Sequence, residues 1–294
     1  MKVIALIPAY NEENTIAKVI LKAKKYVDKI IVCDDGSQDM TYEIAKSLGA
    51  EVIKNERNYG KGYCLAELFK RALKEDADVV ITLDADMQHD PDLIPFFINT
   101  LTENDADVVI GSRFLNSKSK EVPGYRVIGN KILNIVTNKK YTDSQCGFRA
   151  YKKEILKHLI PSEMGYGADS EILLKALDNN LKVIEIPISV KYNVPKPSKT
   201  NPILHGLDVL LTVLKRHAIR HPLILFGIPS FIFLLISITI GILAMDYFNT
   251  TRQLPTNLLI ISGMSLIISI ILAATGLLIF ILVSLIREEI SKSK

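Results

Sequence analysis

The sequence predicts an α/β protein, with a parallel β-sheet covered by helices on both faces, followed by two membrane-spanning helices. Two observations carry this prediction. Up to about residue 110, short apolar runs alternate with segments whose apolar residues recur every three or four positions. Beyond Pro222 the chain consists almost entirely of Ile, Leu, Phe, Val and small residues. The pattern therefore indicates a soluble domain joined to a membrane anchor.

The predicted elements of the first part alternate regularly. Strands are expected at residues 1–7, 29–33, 51–55, 79–83 and 107–110, and helices at residues 16–23, 41–48, 61–74 and 93–102. Ligands of such sheets bind beyond the carboxyl ends of the strands. Four polar clusters fall at or near those ends, at residues 8–13, 34–39, 58–62 and 84–90. Together they predict one site, although each alone would be only a turn.

The cluster after the fourth predicted strand carries the strongest chemical signal. Alternate side chains of an extended segment point to one side, so Asp84, Asp86 and Gln88 are expected to converge. Hard oxygen ligands suit Mg²⁺ or Mn²⁺, which would grip phosphate oxygens. The cluster favours a nucleoside-diphosphate substrate, and the alternative is a solvated acidic turn with a helix cap.

The other clusters offer complementary groups. Tyr10 can pack on a base or ribose, Glu12 can accept a hydrogen bond from either, and Asp35 can face the same ligand. Lys61 lies between two glycines before a helix and can oppose phosphate charge, although the spacing of a Walker loop is absent. Plain strand-to-helix turns would explain the same residues.

Arginines complete the set of candidate anion ligands. Arg113 closes a predicted strand, and Arg126 and Arg149 follow it along the chain. The arginine fork suits bidentate phosphate contact, although any one of them can be an ordinary surface residue.

Six motifs occur in the order typical of family 2 glycosyltransferases. They are Pro8-x-Tyr10-Asn11-Glu12, Asp34-Asp35-Gly36-Ser37-x-Asp39-x-Thr41, Asn58-x-Gly60-Lys61-Gly62, Asp84-x-Asp86-x-Gln88, Gly111-Ser112-Arg113 and Gly147-Phe148-Arg149. Over residues 3–199 the chain resembles the polyprenyl-phosphate branch of that family, similar to dolichyl-phosphate mannose or glucose synthases.

The resemblance implies a GT-A fold, which is a Rossmann-like nucleotide-sugar-binding domain, with an inverting mechanism, a divalent cation (Mg²⁺ or Mn²⁺) and a site facing the cytosol. The metal ligands it implies are Asp84, Asp86 and Gln88. The implied nucleotide-sugar contacts are Pro8, Tyr10, Glu12, Asp35, Lys61 and Asp84. The implied acceptor-phosphate contacts are Arg113, Arg126, Arg149 and Lys199, and the implied catalytic residues are Asp86, Arg113 and Arg126.

One segment departs from the family. Many dolichyl-phosphate mannose synthases carry an arginine and then Gly-acid-Ser-Lys after their last strand. This chain keeps Ser198 and Lys199 but not the preceding arginine and glycine. The following Thr200-Asn201-Pro202 resembles relatives that use UDP-sugars, including UDP-N-acetylglucosamine, more than enzymes that use GDP-mannose. The donor sugar therefore stays open.

The implied reaction is attack by the phosphate oxygen of a membrane-bound polyprenol on a nucleotide-sugar. Because that oxygen is already ionised, no strong general base is required. Asp143 would serve as a base in a relative with a hydroxyl acceptor, or it makes only local hydrogen bonds. Asp169 and Glu171 can touch donor hydroxyls, or simply lie at a helix N-terminus.

The apolar part predicts how the chain meets the bilayer. No residue from 223 to 245 or from 258 to 286 is charged, and each run exceeds the roughly 20 residues that span a hydrocarbon core. Basic residues flank the pair on the outside, which favours cytoplasmic ends. The expected organisation is a cytosolic catalytic domain (1–200), an amphipathic interface helix (201–221), two spans (222–248 and 257–287) and a cytosolic tail (288–294).

Composition excludes several other classes. The first apolar run, residues 3–7, is too short for a signal peptide. Three scattered cysteines fit reduced thiols, and a net charge of +4 is explained by the bilayer without a nucleic-acid partner. A processive polysaccharide synthase is disfavoured because its Gln-x-x-Arg-Trp signature needs a tryptophan, and the chain has none. An inactive membrane-tethered nucleotide-binding scaffold and a transferase with a non-lipid hydroxyl acceptor remain as alternatives, and a homo-oligomer is compatible with all of these.

Overall fold

A computed structural model describes residues 1–115, 141–165, 167–189, 218 and 222–292. The chain divides into two compact units, Met1–Val213 and Leu214–Lys294. The predicted interface helix lies outside the described residues apart from residue 218, as do Arg126 and Lys199.

The first unit is built from seven strands and six α-helices in its described part. The strands are β1 Val3–Ala9, β2 Lys29–Asp34, β3 Glu51–Lys54, β4 Val79–Thr82, β5 Val108–Ser112, β6 Arg149–Lys152 and β7 Val183–Pro187. The helices are α1 Ile16–Ala23, α2 Thr41–Ser47, α3 Lys61–Leu73, α4 Ile94–Glu103, α5 Leu156–Leu159 and α6 Ala168–Asp178. Two 3₁₀ turns, Pro91–Leu93 and Lys153–Ile155, precede α4 and α5. The five strands and four helices predicted from periodicity are confirmed, with ends shifted by a residue or two.

The strands form one sheet in the order β3-β2-β1-β4-β6-β5-β7. Every neighbouring pair is parallel except the two that involve β6, which runs antiparallel between β4 and β5. The predicted parallel sheet is therefore present, and β6 is an antiparallel strand that the alternation of strands and helices did not predict. Six strands end at one edge of the sheet, here called the carboxyl edge, and β6 begins there.

Helical spacing of apolar residues explains how the helices cover the sheet. In α1 the buried positions are Ile16, Val19, Ile20 and Ala23, which recur every three or four residues. Phe97 of α4 stacks on Phe148, the residue before β6, with ring centroids 4.0 Å apart. This packing fixes the chain that enters β6 against the core.

The second unit contains two long helices, α7 Pro222–Thr251 and α8 Thr256–Lys292. Pro222–Thr251 and Thr256–Leu285 are long and apolar enough to cross a membrane, with mean hydropathies of 2.6 and 3.0. Small residues line their contact. Ser230 and Ser269 each donate to the other's carbonyl oxygen at 2.9 Å, and Ser237 and Ser262 do the same at 2.9 Å. Such close contacts and interhelical hydrogen bonds are how helices associate in lipid.

Candidate active site

The loops after β1 and β2 brace each other at the carboxyl edge. The Asn11 amide donates to Ser37 Oγ at 2.9 Å, and the Gln38 amide donates back to Asn11 Oδ1 at 2.9 Å. The Glu12 amide donates to Thr41 Oγ1 at 2.8 Å. Two motifs distant in sequence are therefore one structural unit, which explains why Asn11, Ser37 and Thr41 are short polar residues.

This braced unit presents the predicted nucleotide contacts. Pro8 is buried in β1, whereas the side chain of Tyr10 is 42% exposed and leaves its ring open to a ligand. The Glu12 carboxylate accepts from Thr15 Oγ1 at 2.6 Å. Burial and the charge of Asp84 raise the pKa of Asp86, and the charge of Glu12 adds to them. Tyr10 thus fits a stacking role.

Asp35 holds the loop that leads into α3. Its side chain, only 3% exposed, accepts hydrogen bonds from Asn55 Nδ2 at 2.8 Å, the Tyr59 amide at 3.0 Å and the Gly60 amide at 2.8 Å. Gly60 has φ +100°, and an added Cβ there would lie 2.4 Å from the Met164 carbonyl oxygen. These contacts hold the loop in one conformation, and this conformation positions Lys61, the first residue of α3.

Lys61 joins two carboxylates from different parts of the chain. Its Nζ lies 2.7 Å from Asp84 Oδ1 and 2.9 Å from Asp169 Oδ2. Burial lowers the pKa of Lys61, but the charges of Asp169 and Asp84 outweigh burial and raise it above the ordinary value. Burial raises the pKa of Asp84, but Lys61 outweighs it and the pKa falls to about 2. Both groups are therefore charged near neutral pH.

Gly147 packs directly against this pair, whose side chains are 18% and 24% exposed. A Cβ at residue 147 would lie 2.6 Å from both carboxylate oxygens of Asp84 and 2.8 Å from Lys61 Nζ. The antiparallel entry into β6 brings the backbone of the Gly147 turn directly against the pair. An added Cβ would require the Asp84 carboxylate and the Lys61 ammonium to shift from these positions.

The acidic segment is a turn, not an extended strand. β4 ends at Thr82, and Met87 adopts a left-handed conformation with φ +62°. The Gln88 amide donates to Asp86 Oδ1 at 2.9 Å, which closes the turn. The sequence predicted that Asp84, Asp86 and Gln88 converge because alternate side chains of an extended strand point to one side. That geometric reason was wrong, because the segment is a turn. The far end is anchored by Asp90, whose side chain accepts from the Asp92 amide and caps the following 3₁₀ turn.

Asp86 is the carboxylate in this turn whose charge is least balanced. Burial, followed by the charge of Asp84, raises the pKa of Asp86 to about 7. Among the described residues it forms no ion pair, and the turn amide of Gln88 is its one hydrogen-bond donor. A divalent cation beside Asp84 and Asp86 would supply the missing positive charge.

The residues present therefore fit a Mg²⁺ or Mn²⁺ ion held by few protein ligands. Within the described ranges, no group of three or more His, Cys, Asp and Glu side chains is arranged to hold a metal. A two-carboxylate site with a partly exposed Gln88 leaves coordination positions for waters and phosphate oxygens, as Mg²⁺ prefers.

His89 belongs to the site and was missed in the sequence. Its Nδ1 lies 3.7 Å from Asp84 Oδ2, and its Nε2 lies 3.7 Å from Cys146 Sγ. Burial lowers the pKa of His89 to about 4, so the ring is neutral at pH 7. Its place in the acidic turn was the available signal, but nothing in the sequence shows that the ring turns inward.

Arg113 is oriented by a buried carboxylate. Its Nε and Nη2 lie 2.5 and 2.7 Å from the two oxygens of Asp143, and its backbone amide donates to the same carboxylate at 3.1 Å. Asp143 is fully buried, and Glu185 of β7 accepts from its amide at 2.8 Å. Asp143 is thus engaged with Arg113, and this arrangement disfavours the general-base interpretation.

Arg149 does not occupy the position expected of an acceptor ligand. Its side chain is fully buried, with Nε donating to the Cys146 carbonyl at 2.7 Å and Nη2 to the Ser144 carbonyl at 2.7 Å. The guanidinium therefore supports the turn that carries Gly147. The expectation of a direct phosphate contact is corrected, because a charged side chain was assumed to lie at the surface.

Asp169 and Glu171, in the first turn of α6, contact different parts of the protein. Asp169 holds Lys61, as described above. Glu171 accepts from the amides of Ser162, at 3.0 Å, and Glu163, at 2.7 Å, and pairs with Lys175. Glu171 thus secures the chain before α6, whereas Asp169 belongs to the charged cluster at the carboxyl edge.

The mixed seven-stranded sheet, with an acidic turn after its central strand and braced loops beside it, has the GT-A fold. Residues 4–160 match the model of glycosyl transferase family 2. That match spans more than half of the chain, so the protein belongs to this family, and the resemblance predicted from the six motifs is confirmed.

Relatives and solved structures agree with this assignment. The chain is 33% identical over 234 residues to UDP-N-acetylglucosamine–dolichyl-phosphate N-acetylglucosaminyltransferase of Methanococcus voltae, covering 71% of this chain and 93% of the relative. It is 30% identical over 204 residues to dolichol-phosphate mannosyltransferase of Pyrococcus furiosus, covering 64% of this chain and 56% of the relative. Glucosyl-3-phosphoglycerate synthase of Mycobacterium tuberculosis, solved in complex with Mn²⁺, UDP and glucosyl-3-phosphoglycerate, has the same fold, with a TM-score of 0.57. The two sequences are 24% identical, and the match covers 73% of this chain and 79% of the synthase.

Proposed function

We propose that this protein transfers a sugar from a nucleotide-sugar to dolichyl or another polyprenyl phosphate, with inversion at the sugar carbon. The observation that carries the proposal is the cluster of Asp84, Asp86 and Lys61 at the carboxyl edge, where two carboxylates and one ammonium can bind a cation and a diphosphate. The dolichyl-phosphate transferases among its relatives supply the acceptor class.

The donor side of the reaction follows from the braced loops and the acidic turn. Tyr10 packs against the nucleotide, Lys61 faces the diphosphate, and Asp84 and Asp86, with Gln88, hold the Mg²⁺ or Mn²⁺ ion. When bound, the ion offsets the charge that develops on the leaving nucleoside diphosphate. That the structural relative was solved with Mn²⁺ and UDP supports this choice of ion.

The acceptor side needs positive charge and no base. A polyprenyl phosphate is ionised near neutral pH, so its oxygen can attack without losing a proton. We assign contact with the acceptor phosphate to Arg113, which Asp143 holds in orientation. We assign the same role to Arg126 and Lys199, which lie outside the described residues. Holding two anions in one place makes the attack effectively unimolecular.

The donor we favour is a UDP-sugar. The relative from Methanococcus voltae is named for UDP-N-acetylglucosamine, and residues 191–202 lack the arginine and glycine typical of mannose enzymes. UDP-glucose and GDP-mannose are the competing donors.

The proposed location is a membrane, with the catalytic domain and both ends in the cytoplasm. The two candidate spans and the basic residues outside them support this topology. The product would feed glycosylation of protein or of the cell surface.

The test is a transfer assay on the full chain in detergent. Radiolabelled UDP-N-acetylglucosamine, UDP-glucose and GDP-mannose are offered in turn with Mn²⁺, with and without dolichyl phosphate. We expect lipid-linked product from a UDP-sugar, none after EDTA, and recovery when Mn²⁺ is restored. Nucleotide binding without turnover on any donor would instead favour an inactive scaffold.

A further inference from the structure

We propose that Lys61 is a counterion for Asp84 that transfers its charge to the donor diphosphate when the donor binds. In consequence, the divalent cation and the nucleotide bind cooperatively. This inference deepens the proposed function and rests on its assignment of a cation and a diphosphate to the same cluster.

The first support is the position of the ammonium group. Lys61 Nζ lies 2.7 Å from Asp84 Oδ1, so its ammonium stands against the carboxylate that a cation would bind. The second oxygen, Oδ2, faces His89 Nδ1 at 3.7 Å. That separation is too long for a hydrogen bond and the ring is neutral, so Lys61 is the group of this chain that balances the Asp84 charge most closely.

The second support is the backbone of Gly147, which packs against one side of the pair. Gly147 packs so closely that an added Cβ would lie 2.8 Å from Lys61 Nζ and 2.6 Å from Asp84 Oδ1. A divalent ion on Asp84 would lie a few ångströms from the ammonium, and two like charges at that distance repel strongly in a partly buried site. Asp84 therefore binds a cation weakly while Lys61 stays in place.

The third support is the second partner of Lys61. Asp169 Oδ2, 2.9 Å from Nζ, approaches from α6 and does not depend on the acidic turn. Lys61 can release Asp84 while it keeps Asp169, and its ammonium can then meet a diphosphate. The diphosphate adds negative charge where the two cations would otherwise repel, so each ligand strengthens the binding of the other.

The experiment measures Mn²⁺ binding directly, by the electron paramagnetic resonance signal of free Mn²⁺, on the full chain in detergent. Dissociation constants are determined alone and with saturating UDP, and a protein-free sample corrects for Mn²⁺ held by UDP itself. We expect wild-type affinity to rise by about tenfold or more when UDP is added.

Lys61→Met should bind Mn²⁺ alone about tenfold more tightly than wild type and lose a comparable part of the gain from UDP. Asp169→Asn should shift affinity in the opposite direction, because Lys61 loses one of its two anionic partners and pairs more fully with Asp84. The matched control is Lys70→Met, on the same helix, whose side chain is 55% exposed and pairs with Glu67. It should change neither value.

Unchanged Mn²⁺ affinity in a folded Lys61→Met, or a full UDP effect in that variant, would overturn the inference. If Lys61→Met does not fold, Asp169→Asn decides, and unchanged or tighter Mn²⁺ binding by that variant would contradict the proposal. Failure of the proposed function looks different: the coupling between Mn²⁺ and UDP would persist while no sugar reached dolichyl phosphate.

Discussion

Asp35 and Asp86 lie in equivalent places, each shortly after the end of a parallel strand, yet the chain treats them in opposite ways. Asp35 accepts three hydrogen bonds from its own loops and is almost completely buried. Asp86 accepts one, and burial beside Asp84 raises its pKa to about 7. The first carboxylate stabilises the protein, whereas the second needs a positive charge from outside it.

This difference separates a scaffold from a ligand site. The loops after β1, β2 and β3 are held by side-chain-to-backbone hydrogen bonds, so they are in place before any ligand binds. The Arg113–Asp143 pair holds the end of β5 in the same way. The acidic turn keeps like charges close together, an arrangement that costs stability and is found at functional sites.

The largest expected effect comes from breaking the scaffold at its buried ion pair. Asp143→Ala should lower the free energy of unfolding by about 3–5 kcal/mol, because it leaves the Arg113 guanidinium buried without its carboxylate. Thermal or denaturant unfolding in detergent measures this change. The control is Asp76→Ala, whose side chain is 90% exposed and pairs with Lys2, and which should cost no more than about 1 kcal/mol. Similar losses in the two variants would show that the buried Arg113–Asp143 pair stabilises the protein no more than an exposed pair does.

The next effect concerns the Lys61–Asp84 pair where it packs against Gly147. Gly147→Ala should lower the transfer rate by about 100-fold, because its Cβ must displace both charged groups from their positions. Steady-state transfer to dolichyl phosphate measures the change. Gly263→Ala in the second unit, where an added Cβ meets no atom within 4 Å, should keep wild-type activity. Full activity of Gly147→Ala would show that the pair can move without consequence.

Asp35→Asn tests the braced carboxylate. An amide cannot accept with its NH₂ group, so one of the three donors at Asn55, Tyr59 and Gly60 loses its partner. We expect a loss of about 1–3 kcal/mol in the free energy of unfolding. An unchanged midpoint in a denaturant titration would mean that the loop does not depend on this carboxylate.

Asp86→Asn should raise the free energy of unfolding near neutral pH, whereas Asp35→Asn lowers it. The pKa of Asp86 is higher in the folded protein, about 7, than its ordinary value of 3.8, so unfolding between these values releases a proton. Wild-type stability should therefore fall as pH rises from about 5 to about 7, by up to about 1.4 kcal/mol per pH unit from this group. Asp86→Asn should lose that part of the slope and also lose sugar transfer.

The control for this comparison is Asp76→Asn, because Lys2 lowers the pKa of Asp76 and its titration lies below the same window. Asp76→Asn should retain the wild-type slope. Identical slopes in wild type and Asp86→Asn would show that Asp86 carries no destabilising charge.

The sequence predicted the scaffold well because periodicity and motif order report on it directly. Apolar spacing located α1 and the central strands, and four polar clusters were correctly expected at one edge of the sheet. Strand β6 was missed because four residues that include Arg149 and Lys152 form no apolar run, and its direction depends on packing between β4 and β5.

The site was predicted only in part, for two physical reasons. The turn at residues 84–90 depends on a left-handed Met87, a conformation that no pattern of residue types revealed. The roles of Arg113, Asp143 and Arg149 depend on contacts between distant segments and on burial of charged groups. Composition favours surface positions for such residues, so their inward orientation becomes evident only in three dimensions.

The most direct test of the account is the position of Mn²⁺ in crystals of the full chain grown with UDP, found by anomalous scattering at the manganese edge. The account predicts one strong peak within coordination distance of Asp86 and Asp84, with Lys61 turned from Asp84 toward the diphosphate. A manganese peak elsewhere, or a bound UDP whose diphosphate lies away from the acidic turn, would contradict it.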